Sequence, residues 1–418
     1  MKILSIGSDK KLFDENSEVR RRVIEYGRLI DELHIIVFNQ KTKKCTYNCD
    51  SKYMRISENI YVYPTNSLTK WFYVFDAVKI GRNILSFTSA NTSDRKYLPD
   101  WLITSQDPFE CGFVGWLLKR RYKIPLQLQI HTDFLSPYFK KESFLSIVRV
   151  LIAKFLIKRA DCFRVVSRRI KLSLSGAKVL PKNRRCGRAN PPAGGFRDKR
   201  FLEEAFAERC LAVLPIFVDI KKIQEAVVKT DLHQKYPQFD FIILMASRLT
   251  REKNIGLAIG AMQEVAKKHP KTGLIIVGNG PEEKNLALLV TRYSLRKNAI
   301  FEPWTDDIIS YYKTADLFPL TSNYEGYGMA VVEAMAAGCP VVMTDVGLAG
   351  EVLIDKKDGI VIPVGDREKL VEAILNLIEN PELRADLVRN SQKTMNFWPK
   401  KDDYLKAYRD SWLLCKKF

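Results

Sequence analysis

The chain has no CxxC pair, no uninterrupted apolar run of about 20 residues, and a shortage of acids relative to bases. Each shortage excludes something. Eight cysteines are scattered over 418 residues, and only Cys45 and Cys49 are close neighbours. That spacing argues against a zinc site or a disulfide scaffold and makes a reducing cytosol the simplest compartment. The longest apolar stretches, such as FLSIVRVLIAKFLI, are cut by Arg149 and Lys154, so no membrane span is expected. The N-terminal MKILSIGSDKK has too short an apolar part for a signal peptide. Acids number 48 against 68 Lys and Arg, a formal net charge of +20. Such an excess suits nucleic acid, an anionic membrane surface or acidic substrates, and charge alone does not choose among them.

What is present is a packed chain. A hydrophobic fraction of 46% and 11% aromatics exclude a disordered polymer, and the length suits two or three domains. In the first half, KILSIG reads as a buried strand and SEVRRRVIEYGRLI as an amphipathic helix. HIIVFN, NIYVYPT, DWLITSQ and PLQLQIHT are further strands, with CGFVGWLLKRRYK a helix between the last two. The second half repeats the alternation. FIILMAS, GLIIVGNG, AIFEPW, DLFPLTS, PVVMTD and GIVIPV read as strands. NIGLAIGAMQEVAKKHP reads as a helix, and PEEKNLALLVTRY as another with Pro281 in its first turn. REKLVEAILNLIEN, PELRADLVRNSQKT and DDYLKAYRDSWLL close the series as helices. This order predicts an α/β protein of two Rossmann-like, doubly wound domains facing a central cleft, with ligands beyond the carboxyl ends of the strands. Residues 177–211, rich in Arg, Ala, Gly and Pro, break the pattern and read as a flexible basic linker or insertion.

The stretch YEGYGMAVVEAMAAGCPVVMTD carries two acids, Glu325 and Glu333, around a glycine turn. A helix starting near Gly328 would offer its free N–H groups to an anion. Eight helical residues span roughly 12 Å, near the length of a sugar nucleotide. One carboxylate could then hold ribose hydroxyls and the other a distal sugar, since each accepts from two neighbouring hydroxyls. Glu333 is otherwise an ordinary surface helix residue, although an acid between Val332 and Ala334 is costly without a partner. In SRLTREKNIGL, Arg248 and Lys253 follow a strand end and can neutralise a diphosphate; the plainer alternative is a solvated charged loop. Gly278 and Gly280 of GNGPEE form a turn that can serve a nucleotide or only tight packing, and it lacks the fuller dinucleotide fingerprint. Trp304 of FEPWTDD can stack on a base or lie in the core. His131 of QIHTDF ends a strand toward the cleft, where it can bond a substrate hydroxyl or be structural. The loop GSDKKLF, residues 7–13, is placed on the acceptor side. FLSIVRVLIAKFLIKR can rest on an anionic membrane or pack on the sheet with its bases outward.

Taken together, SRLTREKN, GNGP, EGYGMAVVEAMAAGCPVV and DGIVIPVGD resemble the GT-B glycosyltransferases, specifically the retaining glycosyltransferase family 4 group. The resemblance is strong over about residues 213–395 and weaker in the first half, through QDPFECG and IHTDF. It implies an N-terminal acceptor domain over residues 1–175, a linker over 176–212, a nucleotide-sugar donor domain over 213–395, and a C-terminal helix over 396–418 that returns to the first domain. It also implies that Arg248 and Lys253 bind the donor diphosphate with backbone at Gly328 and Met329. Glu325 would contact the transferred sugar, Glu333 the ribose, and His131 the reacting sugar. No metal or other cofactor is expected, since the bases and the helix N-terminus stabilise the leaving phosphate. The expected reaction is retaining transfer from a UDP- or GDP-sugar to a hydroxyl on a glycan or lipid-linked acceptor, in cell-surface polysaccharide or glycolipid synthesis. The expected location is the cytoplasm, with peripheral contact on the inner membrane face and no nucleic-acid partner. Two departures stand out: GSDKKLF lacks the glycine pair common in relatives, and FEPW has Pro303 where many carry glycine. Alternatives remain another GT-B activity, namely a sugar-nucleotide epimerase or a phosphorylase, and a non-catalytic basic protein that binds membrane or nucleic acid.

Overall fold

The computed structural model describes residues 1–41, 53–89, 98–176 and 210–416. The first half builds one eight-stranded sheet: β1 (Lys2–Gly7), β2 (Glu32–Val37), β3 (Met54–Ser57), β4 (Ile60–Pro64), β5 (Trp101–Ser105), β6 (Leu126–Ile130), β7 (Cys162–Val165) and β8 (Leu211–Val213). Their order is β3-β4-β2-β1-β5-β6-β7-β8, parallel throughout except for β3 on β4. A parallel sheet must be covered on both faces, which is why its strands read as apolar runs. The helices Glu110–Tyr122 and Phe144–Ile157 supply part of one cover, the helix Glu18–Gly27 part of the other.

The second half contains β9 (Phe241–Ala246), β10 (Thr272–Val277), β11 (Ala299–Glu302), β12 (Phe318–Leu320), β13 (Val341–Thr344) and β14 (Ile360–Ile362). They pair as β11-β10-β9 and β12-β13-β14, all parallel. A bridge between Ile243 and Leu317 joins β9 to the start of β12. The combined order places a topological switch point between β9 and β12, and the first sheet has the same kind of point between β1 and β5. Loops leaving adjacent strands there diverge to opposite faces and leave a crevice.

The C-terminal helix Lys401–Lys416 buries Tyr404, Ala407, Tyr408, Ser411, Trp412, Leu414 and Cys415, a three-four spacing that makes one face apolar. That face lies on the first sheet: Gln127 donates to the Ser411 carbonyl at 2.7 Å, and Lys401 pairs with Glu25. Cys162 of β7 is disulfide-bonded to Cys415 of this helix. The cysteine spacing argued against a disulfide scaffold and for a reducing compartment; this bond, joining residues 253 apart, departs from that expectation.

Two expectations are corrected, and some elements were not expected. β8 ends at Val213, so the first sheet takes its last strand from the segment read as linker and from the first residue of the expected donor domain. Pro281 lies before the helix Glu283–Arg292 rather than in its first turn, because Glu282 caps it. The helix Tyr73–Ser89 and the strands β3 and β7 had no counterpart in the sequence reading. Cys45, Cys49 and residues 177–209 of the basic segment lie outside the described residues.

Candidate active site

Two loops meet at the second switch point. Lys253 ends the 3-10 turn Arg251–Lys253 that follows β9, and Glu325 lies in the loop after β12. Lys253 Nζ donates to Glu325 Oε1 at 2.5 Å, and Ser322 Oγ donates to the same oxygen at 2.8 Å. Both side chains are largely enclosed, 16% and 12% exposed. An enclosed ion pair needs such extra hydrogen bonds to offset desolvation. Thr321 Oγ1 donates to the Lys253 and Asn254 carbonyls at 2.9 and 3.0 Å, and the Asn323 amide donates to the Glu252 carbonyl at 2.8 Å. The two loops are thereby stapled together before any ligand arrives.

Gly328 precedes the helix Met329–Ala337 with φ of 101°, a left-handed conformation that glycine adopts without a Cβ clash. The helix is apolar on nearly every side and buries Val331, Val332, Ala334, Met335 and Ala336. It is held in the core, so its first N–H groups point from a fixed position into the cleft. Glu333 sits on this helix. Burial pushes its carboxyl above the usual range, and the Tyr312 hydroxyl, at 3.4 Å, opposes that only weakly. The acid therefore does have the weakly satisfied surroundings that its apolar neighbours implied.

Across the cleft, His131 follows β6. Its Nε2 lies 3.2 Å from Gln129 Oε1. Burial, then the positive charges of Arg164 and Arg22, push its pKa down to about 3, so the ring is neutral near pH 7. A Cβ on Gly326 would fall 1.8 Å from the His131 carbonyl oxygen, so the loop carrying Glu325 touches the strand end carrying His131. Ser167 Oγ donates to the Gly326 carbonyl at 2.8 Å, Tyr324 to Glu142 at 2.6 Å, and the Arg168 amide to Glu351 at 2.8 Å. These bonds fasten the domains around the cleft.

The structure thus brings Lys253, Glu325, Gly328, Met329 and His131 together. Arg248 stands apart: its side chain is 76% exposed and paired with Glu252 Oε1 at 3.0 Å. Gly278 and Gly280 serve close packing, since a Cβ would meet the Ser247 carbonyl at 1.9 Å or the Leu249 carbonyl at 2.3 Å. Trp304 is not a core residue; it is 52% exposed, and its amide donates to Asn279 of that same glycine turn. Ser322, Ser167 and Arg164 were missed. Of these only Arg164 carried a signal, a base inside the apolar strand CFRV.

Two doubly wound domains facing a cleft, with a helix N-terminus and a Lys–Glu pair at its edge, are the GT-B arrangement. Residues 229–394 match the family described as glycosyl transferases group 1, and the chain carries that domain in a GT-B fold. An uncharacterized glycosyltransferase of Haemophilus influenzae is 34% identical over 151 residues, 36% of this chain and 43% of that protein. The alpha-monoglucosyldiacylglycerol synthase of Acholeplasma laidlawii is 23% identical over 68% of each chain. The chain therefore aligns with under half of the length of the first of these curated relatives. Among solved structures, Anabaena HepE in complex with UDP and glucose superposes with a TM-score of 0.68 over 98% of each chain at 19% identity, a likeness of fold.

Proposed function

We propose that the chain is a retaining glycosyltransferase of the family 4 kind that moves a hexose from a UDP- or GDP-sugar to an acceptor hydroxyl. The observation that carries this reading is the Lys253–Glu325 pair beside the N-terminus of the Met329–Ala337 helix, with His131 facing it. The Lys253 ammonium has three donors, so it can keep Glu325 and still bond a diphosphate oxygen. Backbone at Gly328 and Met329 adds the helix dipole, which favours anions. Arg248, long and exposed, can fold onto the same phosphates. With these charges the leaving phosphate is stabilised without a bound metal.

Glu325 is then the carboxylate that orients the transferred sugar, and Glu333 the one that accepts from ribose hydroxyls. Trp304 and the Gly278–Gly280 turn border the place for the base. Retention requires the acceptor hydroxyl to approach from the face the phosphate leaves, with that phosphate helping to take its proton. Neutral His131 is suited to bonding a sugar hydroxyl. HepE, of the same fold, is solved with UDP and glucose, which supports trying uridine donors first.

The acceptor is a glycan or a lipid-linked sugar presented at a membrane. The helix Phe144–Ile157 buries Val150, Ala153, Leu156 and Ile157 against the sheet, yet leaves Phe144, Leu145, Ile147 and Leu151 exposed beside Lys154 and Lys158. A helix with both faces apolar and basic neighbours suits peripheral contact with anionic lipid. No helix among the described residues is long and apolar enough to cross a membrane.

The test is a thermal-shift screen with UDP, GDP and their sugars, followed by transfer assays with the hit. Stabilisation by one nucleotide and release of it in the presence of acceptor are expected. Failure of every nucleotide to bind, with tight salt-sensitive binding to DNA instead, would overturn the reading.

A further inference from the structure

The switch point of the first sheet holds a cavity of about 370 Å³, within the range of small-molecule pockets. Its floor is unusual for a buried sheet face. Ser5 of β1, Thr104 of β5, Gln129 of β6 and Arg164 of β7 are buried polar groups that line it, where an apolar row would pack better. Its wall is aromatic: Tyr26, and Tyr404, Tyr408 and Trp412 of the C-terminal helix. Its lining also includes His131 and Met329, so on the transferase reading whatever enters lies beside the donor.

Arg164 is 3% exposed, with Nη1 donating to Gln129 Oε1 at 3.0 Å and its guanidinium 4.3 Å from the Tyr408 ring. Its Nε is buried without a hydrogen-bond partner. Among the described residues neither Arg164 nor Arg22, which also lines the cavity, has a carboxylate within ion-pair distance. The two acids of the lining are engaged in their own loops: Asp9 accepts from the Lys11 amide at 3.1 Å and Asp107 from the Phe109 amide at 2.8 Å. A buried guanidinium without a counter-charge costs several kcal/mol unless an anion arrives. The Trp412 Nε1 is a further buried donor without a partner.

We propose that this cavity is the acceptor subsite and that it selects a saccharide bearing an oxyanion, a carboxylate or a phosphoryl group, held by Arg164 and Arg22. The guanidinium fork of Arg164 matches either oxyanion, and the tyrosines and Trp412 pack against the sugar ring. The assignment rests on the transferase reading for the word acceptor, but the anion preference is a property of the cavity itself.

The experiment is calorimetry on the full chain, with and without saturating UDP, using glucuronate, glucose 6-phosphate and neutral glucose as probes. Both anionic probes, or one of them, should bind at least about ten-fold more tightly than glucose, and the stronger one identifies carboxylate or phosphoryl as the natural group. Arg164→Gln and, separately, Arg22→Gln should abolish that preference while leaving UDP affinity unchanged. Arg22 is partly exposed, so its variant keeps the test alive should Arg164→Gln fail to fold. Equal binding of charged and neutral probes, or a preference that survives both substitutions, overturns the proposal. Failure of the unaltered chain to bind UDP, GDP or any of their sugars, with the anion preference intact, would instead overturn the transferase reading alone.

Discussion

Gly326→Ala perturbs one contact between the two halves of the site. The added Cβ would sit 1.8 Å from the His131 carbonyl oxygen and 2.5 Å from its carbon, both backbone atoms that cannot rotate away. Real Cβ contacts essentially never fall below 3.0 Å, so the loops must part by at least 1.2 Å, the difference between 3.0 and 1.8 Å. The Ser167 hydrogen bond to the Gly326 carbonyl stretches with them. Displacement of about 1 Å between reacting groups costs on the order of 10²-fold in rate. The Lys253 side of the site, the helix N-terminus and Glu333 all belong to the second domain and move together. Turnover with a nucleotide-sugar donor should therefore fall about 100-fold, while nucleotide affinity by calorimetry stays within about two-fold. Unaltered turnover in a folded variant would refute the reasoning, because the Gly326–His131 contact would then be irrelevant to the reacting state.

Glu325→Gln keeps the shape and an acceptor for Lys253 but removes the charge, so kcat should drop about 10²-fold or more with little change in nucleotide affinity; steady-state kinetics decides it. Lys253→Ala leaves the Glu325 carboxylate enclosed without its cation and should destabilise the fold by about 3–5 kcal/mol in urea denaturation. Glu333→Gln should act with opposite signs. The raised pKa of the buried carboxyl means the folded state binds its proton more tightly, so ionisation at pH 7 opposes folding. The amide should raise Tm and yet weaken nucleotide binding, with uridine and ribose contacts compared by calorimetry. His131 gives the reverse pH dependence. Its folded pKa of about 3 lies below the unfolded value near 6.5, so the unfolded state binds more protons between them. Stability should fall as pH drops from about 6.5 toward 3, and His131→Asn should remove that part of the slope.

The strand and helix order of the second half was legible because each parallel strand is a short apolar run, and each helix has an apolar stripe or flanking glycines. The start of the Met329–Ala337 helix was legible at Gly328; its end at Gly338, also at positive φ, came from the structure. The helix Tyr73–Ser89 was not legible because the exposed Phe75 blurs the apolar stripe that the buried Ala77, Val78 and Leu85 form. β8 was missed because three apolar residues, Leu211–Val213, become a strand only by pairing with β7. Arg248 and Trp304 were legible as residues, but not their exposure.

The class of fold, the donor-side loops and the start of a helix near Gly328 were written in the sequence, because periodicity, glycine and charge act locally along the chain. Only the tertiary structure decided what those groups face. It paired Lys253 with Glu325, set Gly326 against His131, and closed the C-terminal helix over the first sheet. It also buried Arg164 in the lining of a cavity, with its Nε unpartnered among the described residues. Pairing, burial and desolvation depend on residues distant in the chain, and no local pattern encodes which of them will meet.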